Sequence, residues 1–236
     1  MKKIIISLLS ITFLWCLSCQ EDTIDTYDPT GVNYVQFARA GQDSMTVSFA
    51  LSPSSVLTLD SLVLVRMSSL PYSDGRSYKI VVDPEFTTAQ EGVHFRLPAT
   101  TSFKAGEVTD SLAITFLRHP DMKNNRFRLV LRIEKNEHFG VGQIDFLYKV
   151  IWVHDQLSQP AWWTTSIANS YLGAYSDKKF QFLIDVTEVS DLTDATPSVL
   201  RVTALQLKYY LEAAAAAGNP VYDEANNEYM SVPVSG

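Results

Sequence analysis

Apolar and polar positions between residues 32 and 155 recur at period two, the signature of successive strands. Residues 44–51 alternate, with Met45, Val47, Phe49 and Leu51 on one face. Residues 61–67 are more continuously apolar, which predicts a strand covered on both sides. A third strand, 78–82, stops at Asp83-Pro84, where proline cannot donate to a ladder. Phe86 and Phe95 flank a turn at Gln90-Glu91-Gly92. Residues 100–103 run into a second turn at Lys104-Ala105-Gly106-Glu107, and 111–117 alternate again. Residues 126–134 place Phe127, Leu129, Leu131 and Ile133 on one face, with Arg126, Arg128, Val130 and Arg132 opposite. Phe139-Gly140-Val141-Gly142 turns the chain into a last strand over 144–153. Near-regular spacing with Gly and Pro turns and no helical period between them predicts a β-sandwich.

Residues 155–160 are polar and interrupt the pattern. Beyond them, Phe180, Phe182 and Ile184 alternate, which predicts a further strand over 179–186. One helix is predicted after Thr196, which can cap it, and Pro197, whose missing N–H has no partner in a first turn. Leu200, Ala204, Leu207 and Leu211 fall at helical spacing. The alanines 213–217 prolong it, and Gly218 with Pro220 ends it. Val221-Tyr222 and residues 229–232 flank Asn226-Asn227, a final hairpin. The expected fold is therefore mainly β: an immunoglobulin-like β-sandwich over 31–156, then a smaller α+β C-terminal extension with one helix over 157–236, packed on the sandwich.

The first nineteen residues follow a different rule. Met1-Lys2-Lys3 is basic, residues 4–17 are apolar apart from Ser7, Ser10 and Thr12, and Ser18-Cys19 follows. A charged start, an apolar middle and a small residue before the cut form a secretory signal. The run is shorter than the ~20 residues a bilayer demands of a spanning helix. Ser18-Cys19 is the pattern of a bacterial lipoprotein site, so 1–18 reads as a signal peptide, Cys19 as the acylated residue and 19–30 as an acidic tether. Cys16 stands where such sites usually carry Leu, and Trp15 is too bulky to precede an acceptor at Cys16. Each buried methylene contributes about 0.8 kcal/mol and two acyl chains give stable anchoring.

Cys16 leaves with the signal and Cys19 is taken by lipid, so the expected mature domain has no thiol, hence no disulfide, no Cys-ligated zinc and no Cys nucleophile. Loss of Lys2 and Lys3 takes the formal charge from −7 to −9. That balance argues against nucleic acid as a partner. There is no H-E-x-x-H, G-x-S-x-G, phosphate-cradling glycine loop or paired-glycine dinucleotide fingerprint. His94, His119, His138 and His154 are isolated in sequence, and His94 and His138, each before a Phe beside a turn, read as structural. No motif supplies the carboxylate pair a glycosidase needs. No cofactor or metal is expected. Trp162, Trp163, Tyr171 and Tyr175 crowd into fourteen residues. Flat aromatic faces of this kind either stack on sugars, forming a ligand platform, or dock an extension onto a core.

Ala89-Gln90-Glu91-Gly92-Val93-His94-Phe95, followed by Phe103-Lys104-Ala105-Gly106-Glu107, resembles a motif of sandwich domains related to sodium/calcium-exchanger β repeats. That likeness invites calcium, with Asp83, Glu85, Glu91 and Asp110 as oxygen donors, although calcium wants six to eight oxygens and no dense acidic loop is present. The continuation is more specific: Phe127-Arg128-Leu129, Asn136-Glu137-His138-Phe139, Pro160-Ala161-Trp162-Trp163, Leu172-Gly173-Ala174-Tyr175-Ser176 and Lys178-Lys179-Phe180. This series is similar to a family of Bacteroidota surface lipoproteins that carries a domain-of-unknown-function label. Members often accompany starch-utilisation-type uptake systems. The resemblance implies a non-catalytic outer-membrane accessory protein that binds a glycan or an uptake partner. It also implies that Gln20, Glu21 and Asp22 signal export to the outer face, the periplasmic face being the alternative. The competing functions are an envelope assembly lipoprotein without a ligand, and a hydrolase with an unrecognised acid pair.

Overall fold

A computed structural model describes residues 33–234. The signal peptide, Cys19, the Gln20-Glu21-Asp22 segment and the tether lie outside the described residues. No helix among the described residues is long and apolar enough to cross a membrane.

Two sheets form the first layer pair. One has the order β10 (Gly140–Val141), β1 (Tyr34–Phe37), β3 (Thr58–Ser68), β8 (Thr109–Leu117), β6 (Phe95–Arg96). The other runs β2 (Met45–Ser48), β11 (Tyr148–His154), β9 (Phe127–Glu134), β5 (Lys79–Val82). Period-two alternation points Val35, Phe37, Val63, Val65, Leu112, Ile114 and Phe116 of the first sheet at Val47, Leu129, Leu131, Ile133, Ile151 and Val153 of the second. The protein is thus a β-sandwich. A short ladder of β4 (Arg76–Ser77) with β7 (Ser102–Phe103) closes one end. The two expected turns hold Gly92 and Gly106 at φ of +80° and +81°, where a Cβ would be strained.

Two details of the sandwich depart from expectation. β3 is covered on one face only: Val63, Val65 and Met67 are buried, but Leu62 and Leu64 are 62% and 52% exposed. The apolar run is denser than its burial requires. Leu51 is also exposed, because the chain leaves β2 after Ser48 and turns, Ser52 N–H donating to Phe49 O, so the period no longer applies.

The extension is more helical than expected. Residues 179–186 are not a strand but the body of helix α1 (Asp177–Thr187). Ser176 Oγ accepts from Lys179 N at 3.0 Å and caps it. Phe180, Leu183 and Ile184 form its buried face at helical spacing, and the coincidence of Phe180, Phe182 and Ile184 at period two hides it. Glu188, at φ 57°, ends the helix, its N–H donating to Ile184 O. A shorter helical segment precedes it, Thr165–Ile167 running on into Ala168–Leu172. The expected helix is α2 (Pro197–Ala216), with Thr196 as its cap and Leu200, Ala204, Leu207 and Leu211 buried. The hairpin pairs β12 (Tyr222–Asp223) with β13 (Glu228–Tyr229). It is tied to α1 through Asp223, which accepts from Ser176 Oγ at 2.7 Å and Asn226 Nδ2 at 2.9 Å.

The apolar residues form two cores. One fills the sandwich from Val35 to Val153. The other joins Trp162, Trp163, Leu172, α1, α2 and the C-terminal Met230, Val232 and Val234.

Candidate ligand cleft at the junction of the two cores

The junction is built on Arg118, one residue past β8. Its guanidinium grips Asp155, one residue past β11, through two parallel bonds: Nε to Oδ2 at 2.9 Å and Nη2 to Oδ1 at 2.8 Å. The pair is deeply buried, its side chains 8% and 1% exposed. Arg118 Nη1 also donates to Pro53 O at 2.7 Å, and Lys123 Nζ stands 3.3 Å from Asp155 Oδ2. Every charged atom is thereby matched, the condition under which a buried ion pair persists.

Helix α1 closes onto this pair with its polar face. Gln181 Oε1 accepts from Arg118 Nη2 at 3.4 Å, and Gln181 Nε2 donates to Ser52 O and Asp185 Oδ1. Asp185 accepts from Ser54 N at 2.6 Å and from Ser54 Oγ at 2.8 Å. The loop after β2 and helix α1 are therefore stapled by side chains more than 120 residues apart. Between them lies a cleft of about 420 Å³, lined by Ser54, Lys123, Asp155, Leu157, Asp177, Lys178, Gln181, Phe182 and Asp185. Convergent polar groups beside an aromatic ring, at the seam of two cores, are the usual makeup of a small-ligand site.

The aromatic group singled out in the sequence sits behind this cleft. Trp162 and Trp163 stack at 5.4 Å and 24°, and Phe180 packs its edge on both at 5.7 and 5.8 Å. Trp163 is 1% exposed and donates Nε1–H to Gly173 O. Neither indole is open to solvent, so both root the extension. Tyr171 and Tyr175 are half-buried. Tyr175 reaches the cleft rim, donating its hydroxyl to Asp177 Oδ1 at 2.7 Å, and burial pushes its phenol well above the usual range. Phe182, half-buried against Tyr210, is the ring that lines the cleft. Sequence reasoning missed it by assigning it to a strand.

The histidines show a second grouping. His94 is buried and stacks on Phe127 at 3.9 Å. Its Nε2 lies 3.2 Å from Asp121 Oδ2, and His119 Nδ1 lies 2.7 Å from Asp121 Oδ1. Among the described residues this is the one set of three metal-ligand side chains within reach of each other. Its chemistry does not suit a metal. Gln90 N–H donates to His94 Nδ1 at 2.9 Å, which fixes the neutral ring with its proton on Nε2, aimed at Asp121. His94 therefore turns no lone pair toward His119 and Asp121, so the three do not act together as ligands. Burial raises Asp121, but hydrogen bonds from His119 and His94 outweigh it and hold the carboxyl below its usual range. The trio clasps the helical turn Pro120–Lys123 to the Gln90 turn. Only the H-x-D spacing of His119 and Asp121 hinted at it in sequence. His138 stands near Glu137, 3.4 Å away. His154 accepts from Gln156 N–H.

The four acids considered for calcium do not converge. Asp83 accepts from the N–H groups of Glu85 and Phe86, an Asx turn, and Asp110 accepts from Tyr78 Oη at 2.6 Å. Glu85 and Glu91 are exposed.

The model of a Domain of unknown function (DUF4843) matches residues 27–189. The chain belongs to this family. The DUF4843 segment takes in the sandwich and α1, so both walls of the cleft lie inside it, whereas α2 and the hairpin lie beyond. A comparison with curated proteins gave no match. Solved structures share parts of the fold at low identity. CBD12 from CALX1.2 is 14% identical, with 51% of this chain and 44% of that one covered and a TM-score of 0.35. A candidate carbohydrate-binding protein from Bacteroides ovatus is 13% identical over 52% and 37%, TM-score 0.36. A protein of unknown function from the same organism is 13% identical over 51% and 44%, TM-score 0.41. The chain spans less than half the length of these structures.

Proposed function

We propose that this DUF4843 protein is a non-catalytic binding protein whose cleft takes a polyhydroxylated ligand, a glycan. The observation that carries the reading is the junction cleft itself. Asp177 can accept from hydroxyls, Lys123 can donate to them with the protons it does not give Asp155, and Phe182 offers a ring to the C–H face of a sugar. The carboxylates there do not form an acid–base pair. Arg118 and Lys123 occupy Asp155, while Ser54 and Gln181 occupy Asp185. A hydrolase needs one carboxyl free to give a proton and another free to attack or activate water.

In this proposal Cys19 carries the lipid, Gln20-Glu21-Asp22 directs the chain to the outer face of the outer membrane, and the cleft presents the ligand to uptake proteins there. The test is a polysaccharide panel against the full chain in detergent, followed by calorimetry on any hit. Phe182→Ala and Lys123→Ala should each weaken binding severalfold, with melting temperature measured alongside. A panel without a hit, or wild-type affinity in both variants, sinks the assignment.

A further inference from the structure

A second opening lies where, among the described residues, one strand edge has no partner. β1 pairs with β3 only along Val65–Ser68. The last bond on that side is Ala38 N–H to Leu64 O at 2.9 Å. Below it, no strand among the described residues pairs with the β1 side of Thr58–Val63. Because backbone groups alternate sides along a strand, those of Leu62 and Asp60 share the direction of Leu64 and face this gap. Leu62 and Leu64 also expose their side chains, two apolar residues at period two beside an unpaired edge. Such an edge is a template for another strand unless it is blunted; this stretch has no proline, no lysine and no break in its register with β8, and its one charge, Asp60, is turned to β8, where it accepts from Thr115 Oγ1 at 2.7 Å.

The gap opens into a cavity of about 380 Å³, lined by Phe37, Met45, Leu62 and Leu64 and by the charged Arg39, Asp43 and Lys149. Lys149 is unusual. It holds an inward position of β11, in the same alternation as Ile151 and Val153, and is 6% exposed. Its ammonium donates to the main-chain O of Asp43, and among the described residues no carboxylate lies within ion-pairing distance of it. The Asp43 carboxylate is engaged elsewhere, 3.2 Å from Arg39 Nη1. Burial pushes Lys149 below the usual lysine range, with the Asp43 charge opposing and the Arg39 charge reinforcing. A buried cation with spare donors and no carboxylate bonded to it among the described residues is a place for an anion.

We propose that this groove binds an extended acidic peptide of a partner protein, which adds a strand to the free edge of β3 and sets a carboxylate against Lys149 and Arg39. Main-chain bonds supply affinity, the leucines take alternate apolar side chains, and the cations select acidic ones. This site is independent of the glycan cleft, which lies at Arg118 and α1.

The probes are fluorescent (Val-Glu)4 and (Val-Lys)4, titrated into the full chain in detergent and read by anisotropy. Amide exchange at Leu62 and Leu64 is followed in parallel. The expected result is saturable binding of (Val-Glu)4, at least tenfold tighter than (Val-Lys)4, with both amides slowed. Lys149→Met should weaken it at least tenfold. Leu62→Pro should do the same, since it removes both a main-chain donor that faces the gap and an apolar side chain of the groove, while its N–H takes no part in the β8 ladder. Equal binding of the two peptides, or no slowing of the Leu62 and Leu64 amides in the wild-type chain, overturns the proposal without relying on any variant. Binding of tetragalacturonate at Lys149 with no peptide binding overturns it in favour of an acidic sugar.

Discussion

Removing Asp155 should be among the most damaging single changes in the chain. The carboxylate sits against Arg118 through bonds of 2.9 and 2.8 Å, and both side chains are almost wholly removed from water. Asp155→Ala leaves the guanidinium buried with only the carbonyls of Pro53 and Val56 and the Gln181 amide as partners. Breaking such a pair typically costs about 3–5 kcal/mol. That is a large fraction of a total stability of about 5–15 kcal/mol. At roughly 2–4 °C per kcal/mol for a domain of this size, the midpoint should fall by about 6–20 °C. Because Gln181 and Asp185 tie α1 to the same network, hydrogen exchange in α1 should accelerate before that in the sandwich. The pair is a device of position more than of net stability. Arg118→Met combined with Asp155→Leu should therefore recover most of the loss, since an apolar replacement of similar volume removes the uncompensated charge. Differential scanning calorimetry of the two single variants and the double variant tests this. A loss below about 0.5 kcal/mol in Asp155→Ala, the level of a surface change, refutes the reasoning. So does a double variant as unstable as the sum of the singles.

Three further outcomes are expected. Leu207→Ala should cost about 2–5 kcal/mol in denaturant melts, because Leu207 is fully buried in the second core. Burial and the Arg126 charge, against the opposing charge of Asp155, hold His154 below its usual range, so the unfolded chain protonates first. Stability from this group is present above about pH 6.5 and is lost as pH falls below it, until the folded pKa is passed. The melting temperature of His154→Gln should fall less between pH 7.5 and 5 than that of the wild type. Cys19→Ala should abolish lipid labelling and release the chain from the membrane fraction; labelling that persists refutes Cys19, and labelling lost only in Cys16→Ala relocates the acceptor.

The sandwich was legible because its strands obey one rule. In β8 and β9, Leu112, Ile114 and Phe116 and then Leu129, Leu131 and Ile133 occupy every second position and are all buried. Turn glycines at positive φ mark the breaks. α2 was legible for the same reason at another period, with a capping Thr196 and a Pro197 that removes ambiguity. α1 was not. Its eleven residues carry Phe180, Phe182 and Ile184 at period two and Phe180, Leu183 and Ile184 at helical spacing, so short-range apolar pattern alone cannot separate the two. The signal that decides is Ser176, whose hydroxyl caps Lys179 N–H, together with Asp177 in the first turn. The cleft was hidden for a further reason. Ser54, Arg118, Asp155 and Asp185 stand in four separate stretches of the chain, each an ordinary surface residue by local pattern, and only the fold makes them neighbours.

The end of the DUF4843 match at residue 189 is informative against this background. The matched segment contributes Trp162, Trp163, Leu172, Phe180, Leu183 and Ile184 to the second core. Residues beyond it contribute Leu192, Leu200, Ala204, Leu207, Leu211, Met230, Val232 and Val234. A boundary that leaves more than half of a core's buried residues outside is not a folding boundary, because the face of α1 would lose its cover. What the segment holds whole is the opposite, polar side of α1: Gln181 and Asp185 against Ser52, Ser54 and Arg118. The two sides of one short helix thus face two different demands. Its apolar side takes cover from beyond residue 189, from α2 and the C-terminal segment. Its polar side is held in register with the loops of the sandwich by distances near 2.6–3.4 Å. A site placed on that polar side takes its geometry from the Arg118–Asp155 pair and the loops it anchors, while the cover behind α1 keeps the helix folded.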